Sequence, residues 1–369
     1  MEEYKIFQVA LQLLPGIGNA NAKYLFSYLG NPEKIFSANK SQLLKVPGIG
    51  ESFIKKINAK NTLEEAKDIV KSCEKRGIHI IHYTEKEYPD FLKSILDAPN
   101  VLYFKGNGDL NPKHSLSIVG TRDATEYGKE ITSKIIAGVK PIKPTIFSGL
   151  AYGIDIQSHR ESLSQGLPTI AVIAGGIDMI YPKQHYGTAR KMMENKGGIL
   201  TEHPPGKIPE AHLFPARNRI IAGISEATLV VEAAKKGGAL ITADLAHSYN
   251  RPVFSVPGNL DQPFSVGCNS LIQQQKALIY TQPEDIFYHL NWDLNFSGSK
   301  GKNKRKIAFE LSDHEKRIID ALSNHDGVLP IDELAWKSQI QINELASLLL
   351  NLEFKGVVKS LPGKKYRLC

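Results

Sequence analysis

The stretch Leu116-Ser-Ile-Val-Gly-Thr-Arg122 decides the fold that we predict for this chain. A short run of mainly apolar residues, Leu116–Val119, ends in a glycine and a polar loop, and a helical stretch follows. This succession of strand, small-residue loop and helix recurs along the sequence. Strands that are apolar on both faces and alternate with helices indicate an α/β domain with a buried parallel sheet. The other such runs are Val101–Phe104, Thr145–Phe147, Thr169–Ile173, Thr228–Val231 and Val253–Val256.

The crossovers between parallel strands are right-handed, so we predict a doubly wound, mainly parallel, Rossmann-like sheet over residues 86–294. Ligands of such sheets gather at the carboxyl ends of the strands. Four predicted strands end in small-residue loops that open helices, where backbone N–H groups and the positive end of the helix dipole favour anions. The loops are Gly120-Thr-Arg122, Ser148-Gly-Leu-Ala-Tyr-Gly153, Gly175-Gly176 and Lys235-Lys-Gly-Gly238. We therefore predict a groove that follows several phosphates of one strand.

Two nucleotide-binding patterns are missing from this region. No Gly-x-Gly-x-x-Gly follows the Leu116–Val119 strand, and Gly-x-x-x-x-Gly-Lys-Ser/Thr does not occur. We therefore expect neither a dinucleotide nor a nucleoside triphosphate in the groove, and no cofactor.

A second decisive stretch is Phe214-Pro-Ala-Arg-Asn-Arg-Ile-Ile-Ala-Gly223, which begins a predicted helix. Its two arginines oppose the helix dipole unless an anion or a carboxylate offsets them. One interpretation pairs Arg217 and Arg219 with Glu202 or Glu232, and the other uses the arginines to bind phosphates. We expect the arginines to reach phosphates while the two glutamates hold them in place.

Two residues behind the Ser148 loop have a structural interpretation. Asp155 is predicted to cap its helix. His159 lies four residues later on the same helical face, and we expect it to be a packed histidine bonded to that carboxylate.

Composition narrows the class of partner. The 369 residues contain 46 lysines and arginines against 38 aspartates and glutamates, and the pI is about 9.1, which favours a polyanionic partner such as nucleic acid. Three widely separated cysteines predict neither disulfides nor a metal site, and they fit a reducing cytoplasm. We expect no signal segment and no membrane span.

A repeated hairpin marks residues 1–85, which we predict to be an all-helical domain. Leu14-Pro-Gly-Ile-Gly18 recurs as Val46-Pro-Gly-Ile-Gly50 between amphipathic stretches. Glycine permits a tight turn with positive φ and close approach of the backbone to an anion. The unit resembles the helix-hairpin-helix module, which holds nucleic-acid backbones. The second copy is the better candidate for a secondary DNA contact, through Gly48, Gly50 and Lys55.

Residues 295–310 contain Ser297-Gly-Ser-Lys-Gly-Lys-Asn-Lys-Arg-Lys306 and predict a basic linker. Residues 311–369 are predicted to form three helices and a hairpin, an arrangement that resembles a winged helix. The third helix begins at Ile342 and is apolar and acidic, so it is poorly suited to bind in a groove of DNA. Lys364 and Lys365 of the wing offer phosphate contacts instead, and a contact with protein is an equal alternative.

Six separated motifs resemble the DNA-processing protein A (DprA, also called Smf) family across residues 85–290. Besides the two stretches quoted above, they are Ser148-Gly-Leu-Ala-Tyr-Gly-Ile-Asp155 with His159, Leu240-Ile-Thr-Ala243, Val256-Pro-Gly258 and Gly267-Cys-Asn-Ser-Leu-Ile272. The resemblance implies a bacterial cytoplasmic protein that binds single-stranded DNA on its Rossmann-like domain and forms a homodimer. It also implies that the strand is handed to the RecA recombinase during natural transformation, with no role for a membrane. The chain departs from the family pattern just before Phe214, where Glu210, Ala211 and His212 replace an expected basic residue.

The predicted DNA site combines these motifs. Phe214 is expected to stack on an unpaired base, and the glycines are expected to let the backbone approach the strand. The full set is Gly120, Thr121, Arg122, Ser148, Gly149, Gly153, Phe214, Arg217, Asn218, Arg219, Gly237, Gly238 and Thr242. We predict a binding protein without catalytic residues.

Two alternatives remain open. Glu232 together with Gly237-Gly238 also resembles nucleotide-hydrolysing enzymes of the lysine-decarboxylase-like Rossmann group, although the Pro-Gly-Gly-x-Gly-Thr loop of that group is missing. The winged helix also allows a regulator that binds duplex DNA.

Overall fold

The computed structural model describes residues 2–14, 16–51, 54, 60–292, 312–323, 328–354, 357–361 and 365–368. The chain divides into two compact units, Met1–Asn295 and Phe296–Cys369. The predicted linker, Lys55 and Lys364 lie outside the described residues. In the described part of the chain, no helix is both long and apolar enough to cross a membrane.

The first unit begins with a helical module built on the repeated hairpin. Both turns are closed by the same bond, from Ile17 N to Leu14 O in the first and from Ile49 N to Val46 O in the second. Gly16 and Gly48 adopt φ values of 84° and 81°, which confirms the glycine requirement of the two turns. The helices are α1 Glu2–Leu13, α2 Asn19–Leu29, α3 Pro32–Ser37, α4 Lys40–Leu43 and α5 Lys60–Lys75.

A nine-stranded sheet forms the rest of this unit, in the order β1-β2-β6-β5-β4-β3-β7-β8-β9. From β6 to β9 in this order all neighbours are parallel, whereas β1 and β2 are antiparallel. The mainly parallel, doubly wound sheet is therefore confirmed. The strands are β1 His79–His82, β2 Val101–Gly106, β3 Ser115–Val119, β4 Thr145–Ser148, β5 Thr169–Val172, β6 Gly198–Thr201, β7 Ala227–Val230, β8 Val253–Ser255 and β9 Leu278–Ile279.

Helices cover both faces of the sheet, and the buried side chains alternate between two layers. Ile170 and Val172 belong to one apolar cluster, whereas their neighbours Ala171 and Ile173 belong to another. This alternation explains why the strands are apolar on both faces. The covering helices are α6 Asp90–Lys93, α7 Glu126–Val139, α8 Ile154–Ser164, a 3₁₀ turn Lys183–His185, α9 Tyr186–Glu194, α10 Leu213–Ile224, α11 Gly238–Ser248, α12 Val266–Gln273 and α13 Pro283–Leu290.

The sequence missed three strands: β1, β6 and β9. β1 lies within residues 1–85, which we predicted to be all helical, and it pairs with β2 at one edge of the sheet. That prediction is corrected, because His79-Ile-Ile-His82 is too short and too polar at its ends to identify itself as a strand without β2.

The second unit has its own apolar core and a three-stranded sheet in the order β10-β12-β11. Ser312 and Glu315 form a capping box at its first helix, since the Ser312 N–H donates to Glu315 Oε2 (2.9 Å) and the Glu315 N–H to Ser312 Oγ (3.2 Å). The elements are α14 Asp313–Ser323, β10 Val328–Pro330, α15 Ile331–Ser338, α16 Ile342–Phe354, β11 Val358–Leu361 and β12 Lys365–Leu368. The winged-helix prediction is confirmed, with β10 as an additional strand.

Candidate nucleic-acid interface

A cleft of about 1080 Å³ opens where the order of the strands reverses. From β3 the chain winds in one direction to β4, β5 and β6, and it later returns to the other side of β3 as β7. The loops after β3 and β7 therefore diverge and leave a crevice at the carboxyl ends of these strands, which is where open α/β sheets bind ligands. The first turns of α10 and α11 complete its walls.

One wall carries an aromatic ring beside an exposed arginine. Phe214 is half-buried in the first turn of α10, and the guanidinium carbon of Arg122 lies 5.7 Å from the centre of its ring. The ring of Tyr181 meets Phe214 edge-on, with the centroids 5.8 Å apart. The wall thus offers a flat ring for a base and a guanidinium for the adjoining phosphate.

The opposite wall is the start of α11. Its N-cap is Gly237, which provides no side-chain cap, and its first turn contains no acidic residue. Lys235 and Lys236 precede it, and both are exposed. Uncapped N–H groups at a helix start, together with two ammonium groups, favour an anion such as a phosphate.

Two predicted residues that line the cleft hold this wall in place. Asn218 of α10 donates from Nδ2 to Gly238 O (3.3 Å), which ties α10 to α11. Thr242 is 1% exposed and its hydroxyl donates to the same carbonyl (3.0 Å). Thr242 is among the residues that line the cleft, and its contact with DNA stays a prediction.

The loop after β3 is held in place by backbone bonds. The Thr121 N–H donates to Glu232 O (2.7 Å), and Thr121 O accepts from the Ile154 N–H (3.2 Å). A Cβ at Gly120 would lie 2.4 Å from Ile154, so only glycine fits between this loop and α8. Gly120 and Thr121 line the cleft together with Arg122.

Arg217 lines the floor of the cleft but is only 4% exposed. Its Nη1 donates to Gly149 O (2.7 Å) and to Val172 O, and its Nε donates to Asn218 Oδ1 (3.2 Å). Burial lowers the pKa of Arg217 to about 10, while the Asp155 charge acts in the opposite direction. The guanidinium thus ties the ends of β4 and β5 to α10, and it is less accessible to a phosphate than Arg122.

Arg219 points away from the cleft. Its Nη1 and Nη2 donate to both oxygens of Glu202 (2.7 and 2.6 Å), and its Nε lies 3.7 Å from Asp97 Oδ2. Burial opposes the charge of Arg219, but the Glu202 carboxylate outweighs burial and leaves the pKa of Arg219 above its usual value. The predicted pairing of Arg219 with Glu202 is confirmed, whereas Arg219 does not line the cleft and its phosphate contact stays a prediction.

The loop after β4 holds an internal anion instead of an external one. The Asp155 carboxylate is 7% exposed and lies against the Gly149 and Ala151 N–H groups. Burial raises its pKa, and the Arg217 charge opposes this rise. The backbone donors that we predicted to receive a phosphate therefore already face a carboxylate of the same chain.

The predicted DNA contacts of the β4 loop are corrected accordingly. Ser148 is fully buried and donates to Ile118 O (2.6 Å). A Cβ at Gly149 would lie 2.5 Å from Asp155 Oδ2, and Gly153 has a φ of 73° and packs against Thr121 O. These residues lie beneath the cleft and shape it without lining it.

Three further interpretations of side chains are corrected. His159 shares a hydrogen bond with Thr169 Oγ1 (2.7 Å) rather than with Asp155. Gly153, not Asp155, is the N-cap of α8. Glu232 forms no ion pair with an arginine of the described residues.

Glu232 instead supports the start of α7. It accepts from the Thr125 N–H (3.0 Å) and from the Thr125 hydroxyl (2.6 Å), and it is 3% exposed. Both carboxylate oxygens are thus occupied, and Glu232 does not line the cleft. This arrangement speaks against the nucleotide-hydrolase alternative, which needs Glu232 free for acid or base chemistry.

The predicted secondary contacts lie in other parts of the chain. Gly50 has open space around the position of a Cβ, whereas a Cβ at Gly48 would lie 3.0 Å from Asn21 Oδ1. Lys365 is exposed on β12 of the second unit. Their contact with DNA stays a prediction.

Reasoning from the sequence placed the Lys235-Lys-Gly-Gly238 loop at the groove but left Lys235 and Lys236 out of the predicted site, and it also left out Tyr181. The two lysines were visible in the loop after β7, and their position directly before Gly-Gly at a helix start was the signal that could have assigned them. Tyr181 gave no such signal, because the fold alone brings it to Phe214.

Models of three protein families match the chain. The family described as DNA recombination-mediator protein A matches residues 79–291, the DprA winged helix domain matches residues 303–364, and the SAM-like helix-hairpin-helix tandem matches residues 8–59.

Relatives support the same assignment. The chain is 31% identical to "Protein Smf" of Synechocystis, with 98% of each chain covered, and 42% identical to "DNA processing protein DprA" of Bacillus subtilis, with 60% of this chain and 74% of the relative covered.

Two solved structures are also similar. DNA processing protein A from Streptococcus pneumoniae superposes with a TM-score of 0.61 at 31% identity, over 78% of this chain and 97% of that one. DNA processing protein A from Helicobacter pylori, which has a single-stranded DNA binding mode described as unique, superposes with a TM-score of 0.52 at 26% identity, over 58% of this chain and 95% of that one. The chain therefore belongs to the DNA recombination-mediator protein A family, known as DprA or Smf.

Proposed function

We propose that this chain binds single-stranded DNA in the cleft between the β3 and β7 loops and mediates recombination without catalysing a reaction. The observation that carries the proposal is the pairing of an aromatic wall, Phe214 with Arg122, and an uncapped helix start with Lys235 and Lys236 across one cleft. A base-stacking ring opposite cationic and N–H donors is the arrangement that unpaired strands require. A duplex hides its base faces and would use only the phosphate donors.

The later steps of the proposal follow from the family. We propose that the protein acts as a homodimer in the cytoplasm and loads RecA recombinase onto the bound strand during natural transformation. Single-stranded DNA binding by the Helicobacter pylori relative supports the first step of this sequence.

The cleft is tested by fluorescence anisotropy of a labelled oligothymidylate and its duplex across a salt series. Arg122→Ala and the pair Lys235→Ala/Lys236→Ala should each weaken binding of the single strand. The slope of log K against log salt should become shallower by about 0.7 for each phosphate that is no longer neutralised. Phe214→Ala should lose about 1–3 kcal/mol with little change in salt slope, because stacking is not ionic.

The matched control is Lys67→Ala/Lys71→Ala, which removes two exposed lysines from α5 of the helical module. Equal losses from the control and the Lys235/Lys236 pair would show that overall charge, not the cleft, binds the strand. Unchanged affinity in all three cleft variants would overturn the proposal. RecA loading is tested separately by whether wild type, but not Arg122→Ala, accelerates RecA assembly on a strand coated with single-stranded DNA-binding protein.

A further inference from the structure

Three exposed tyrosines lie within or against residues 181–186, a segment that begins at the cleft. Tyr181 lines the cleft and meets Phe214 edge-on. The 3₁₀ turn Lys183–His185 begins two residues later, and Tyr152 lies against it, with its hydroxyl on Gln184 Oε1 (3.1 Å) and its ring 5.1 Å from the His185 ring. Tyr186 follows the turn directly. We call Tyr181, Tyr152 and Tyr186 the aromatic ramp.

The ramp is open to solvent along its length. Tyr181 is 53% exposed, Tyr152 is 42% exposed and Tyr186 is 61% exposed. A single exposed aromatic side chain is ordinary on a protein surface, whereas three within or against one short segment form an exposed aromatic cluster beside the cleft. The hydrogen bond and the ring contact of Tyr152 also hold its side chain in place, so little side-chain entropy is lost when a base stacks on it.

The charges beside the ramp favour an anionic ligand. Lys183 and Arg160 are exposed, and within the described ranges neither has a carboxylate at ion-pair distance. Arg160 belongs to α8, which packs against α9, the helix that begins at Tyr186. Three carboxylates of the neighbouring segments are already paired, namely Asp178 with Arg76, Glu194 with Arg190 and Glu210 with Lys207.

We propose that the aromatic ramp is a second base-stacking surface, which carries a single strand onward from the cleft while Lys183 and Arg160 contact its phosphates. Aromatic side chains interleaved with unpaired cations are the arrangement that holds unpaired nucleotides without reading their sequence. The inference rests on the proposed function, since the ramp begins at the cleft. It adds a direction for the strand and a longer binding site than the cleft alone provides.

Dependence on oligonucleotide length separates the ramp from the cleft. An oligothymidylate of about 6 nucleotides, which fills the cleft, should bind Tyr152→Ala and Tyr186→Ala as tightly as wild type, whereas one of about 20 nucleotides should bind each variant about 5- to 150-fold more weakly. Tyr288→Ala removes an 81% exposed tyrosine from α13 and serves as the matched control, with no loss expected for either length.

Two further substitutions distinguish stacking from general damage to the fold. Tyr152→Phe should retain the affinity of wild type for the longer strand, because the ring remains. Tyr152→Leu should lose as much as Tyr152→Ala, because a branched apolar side chain of similar bulk cannot stack. If Tyr152→Phe and Tyr152→Leu lose the same affinity for the longer strand, the hydroxyl bond to Gln184 matters and the ring does not. That result would overturn the proposal that the ramp stacks bases.

The outcomes for the two proposals differ. If wild type fails to bind the short strand, the cleft assignment fails and the ramp fails with it. If the short strand binds but all ramp variants keep the affinity of wild type for the longer strand, the ramp alone is wrong. Photocrosslinking of an iododeoxyuridine-substituted strand should label a peptide that contains Tyr152 or Tyr186, and labelling confined to the Phe214 peptide would contradict the ramp.

Discussion

At the scale of single residues, the structure divides the basic side chains into those that face the cleft and those that hold it together. Arg122 is exposed beside Phe214, whereas Arg217 and Arg219 are bonded to carbonyls and to Glu202. The sequence shows only that three arginines lie near strand ends. Which of them meets a carboxylate depends on the packing of α10 against β6, and spacing along the chain does not contain that information.

The burial of His159 predicts that the protein loses stability as the pH falls. Its Nδ1–H donates to Thr169, whose own hydroxyl donates to Ile146 O, and burial lowers the pKa of His159 to about 3. The charges of His185 and Arg217 act in the same direction. Because the folded pKa lies below that of the unfolded chain, the unfolded state binds the proton first. Stability is therefore complete above about pH 6.5 and is lost as the pH falls toward 3.

The measurement is urea unfolding at about pH 7 and about pH 5. At about pH 5, protonation of His159 in the unfolded state should lower the free energy of unfolding of wild type by about 2 kcal/mol relative to about pH 7. His159→Asn keeps a donor for Thr169 but cannot be charged, so its free energy of unfolding should fall by about 2 kcal/mol less over the same interval. His212→Asn, at a side chain that is 70% exposed, should behave like wild type. An acid dependence unchanged by His159→Asn would contradict this account.

At the scale of elements, the sequence identified most of the inner strands, whereas β6 was missed although it is buried between β2 and β5. β3, β4, β5, β7 and β8 were predicted to within one or two residues, because each has parallel neighbours on both sides and an apolar run. β9 has two residues and β1 has a histidine at each end, and both lie at an edge of the sheet. Such short strands exist only because a partner strand is present, so the sequence of the segment alone does not identify them.

Gly153 in the β4 loop can be compared with Gly166, which follows α8, because the two glycines have nearly the same φ. Gly153 has a φ of 73° and Gly166 has a φ of 71°. A Cβ at Gly153 would lie 2.1 Å from Thr121 O, whereas nothing lies within 4 Å of a Cβ at Gly166. Gly166→Ala should therefore lower the free energy of unfolding by only about 1 kcal/mol, which is the cost of the left-handed conformation for alanine. Gly153→Ala should cost at least about 2 kcal/mol more, because the β3 loop must also move.

Chemical denaturation of the two variants measures this difference. The displaced loop carries Arg122, so Gly153→Ala should also weaken binding of single-stranded DNA under conditions where the variant is folded, whereas Gly166→Ala should not. Equal free energies of unfolding for the two variants would show that the β3 and β4 loops are not in the contact described.

At the scale of the whole molecule, the two units have separate apolar cores. One cluster contains Ile318, Leu334 and Leu349 with other residues of the second unit only, and the clusters around the large sheet draw only on the first unit. The composition and the motif order predicted this arrangement of a helical module, a sheet and a winged helix. The predicted boundaries between these parts stay predictions.

Separate cores predict that residues 1–295 fold without the remainder. The truncated chain should keep the melting temperature of the sheet unit to within about 3 °C, since no buried contact of its clusters is removed. It should also bind a short single strand as tightly as the full chain, because every residue that lines the cleft is retained. Calorimetry and anisotropy measure the two properties. A large drop in both would place part of the core or of the site in the second unit.

The carboxylate of Asp155 beneath the β4 loop has one more consequence. A cell contains abundant nucleotides and dinucleotides, and Rossmann-like sheets often hold them by their phosphates at loops of this kind. A free metabolite would have to displace the Asp155 carboxylate, which belongs to the same chain and stays beside the loop. The Gly149 and Ala151 N–H groups of the loop are therefore not available to the phosphate of a mononucleotide. Under the proposed function, the open cleft favours a polymer that contacts it at several points over a mononucleotide.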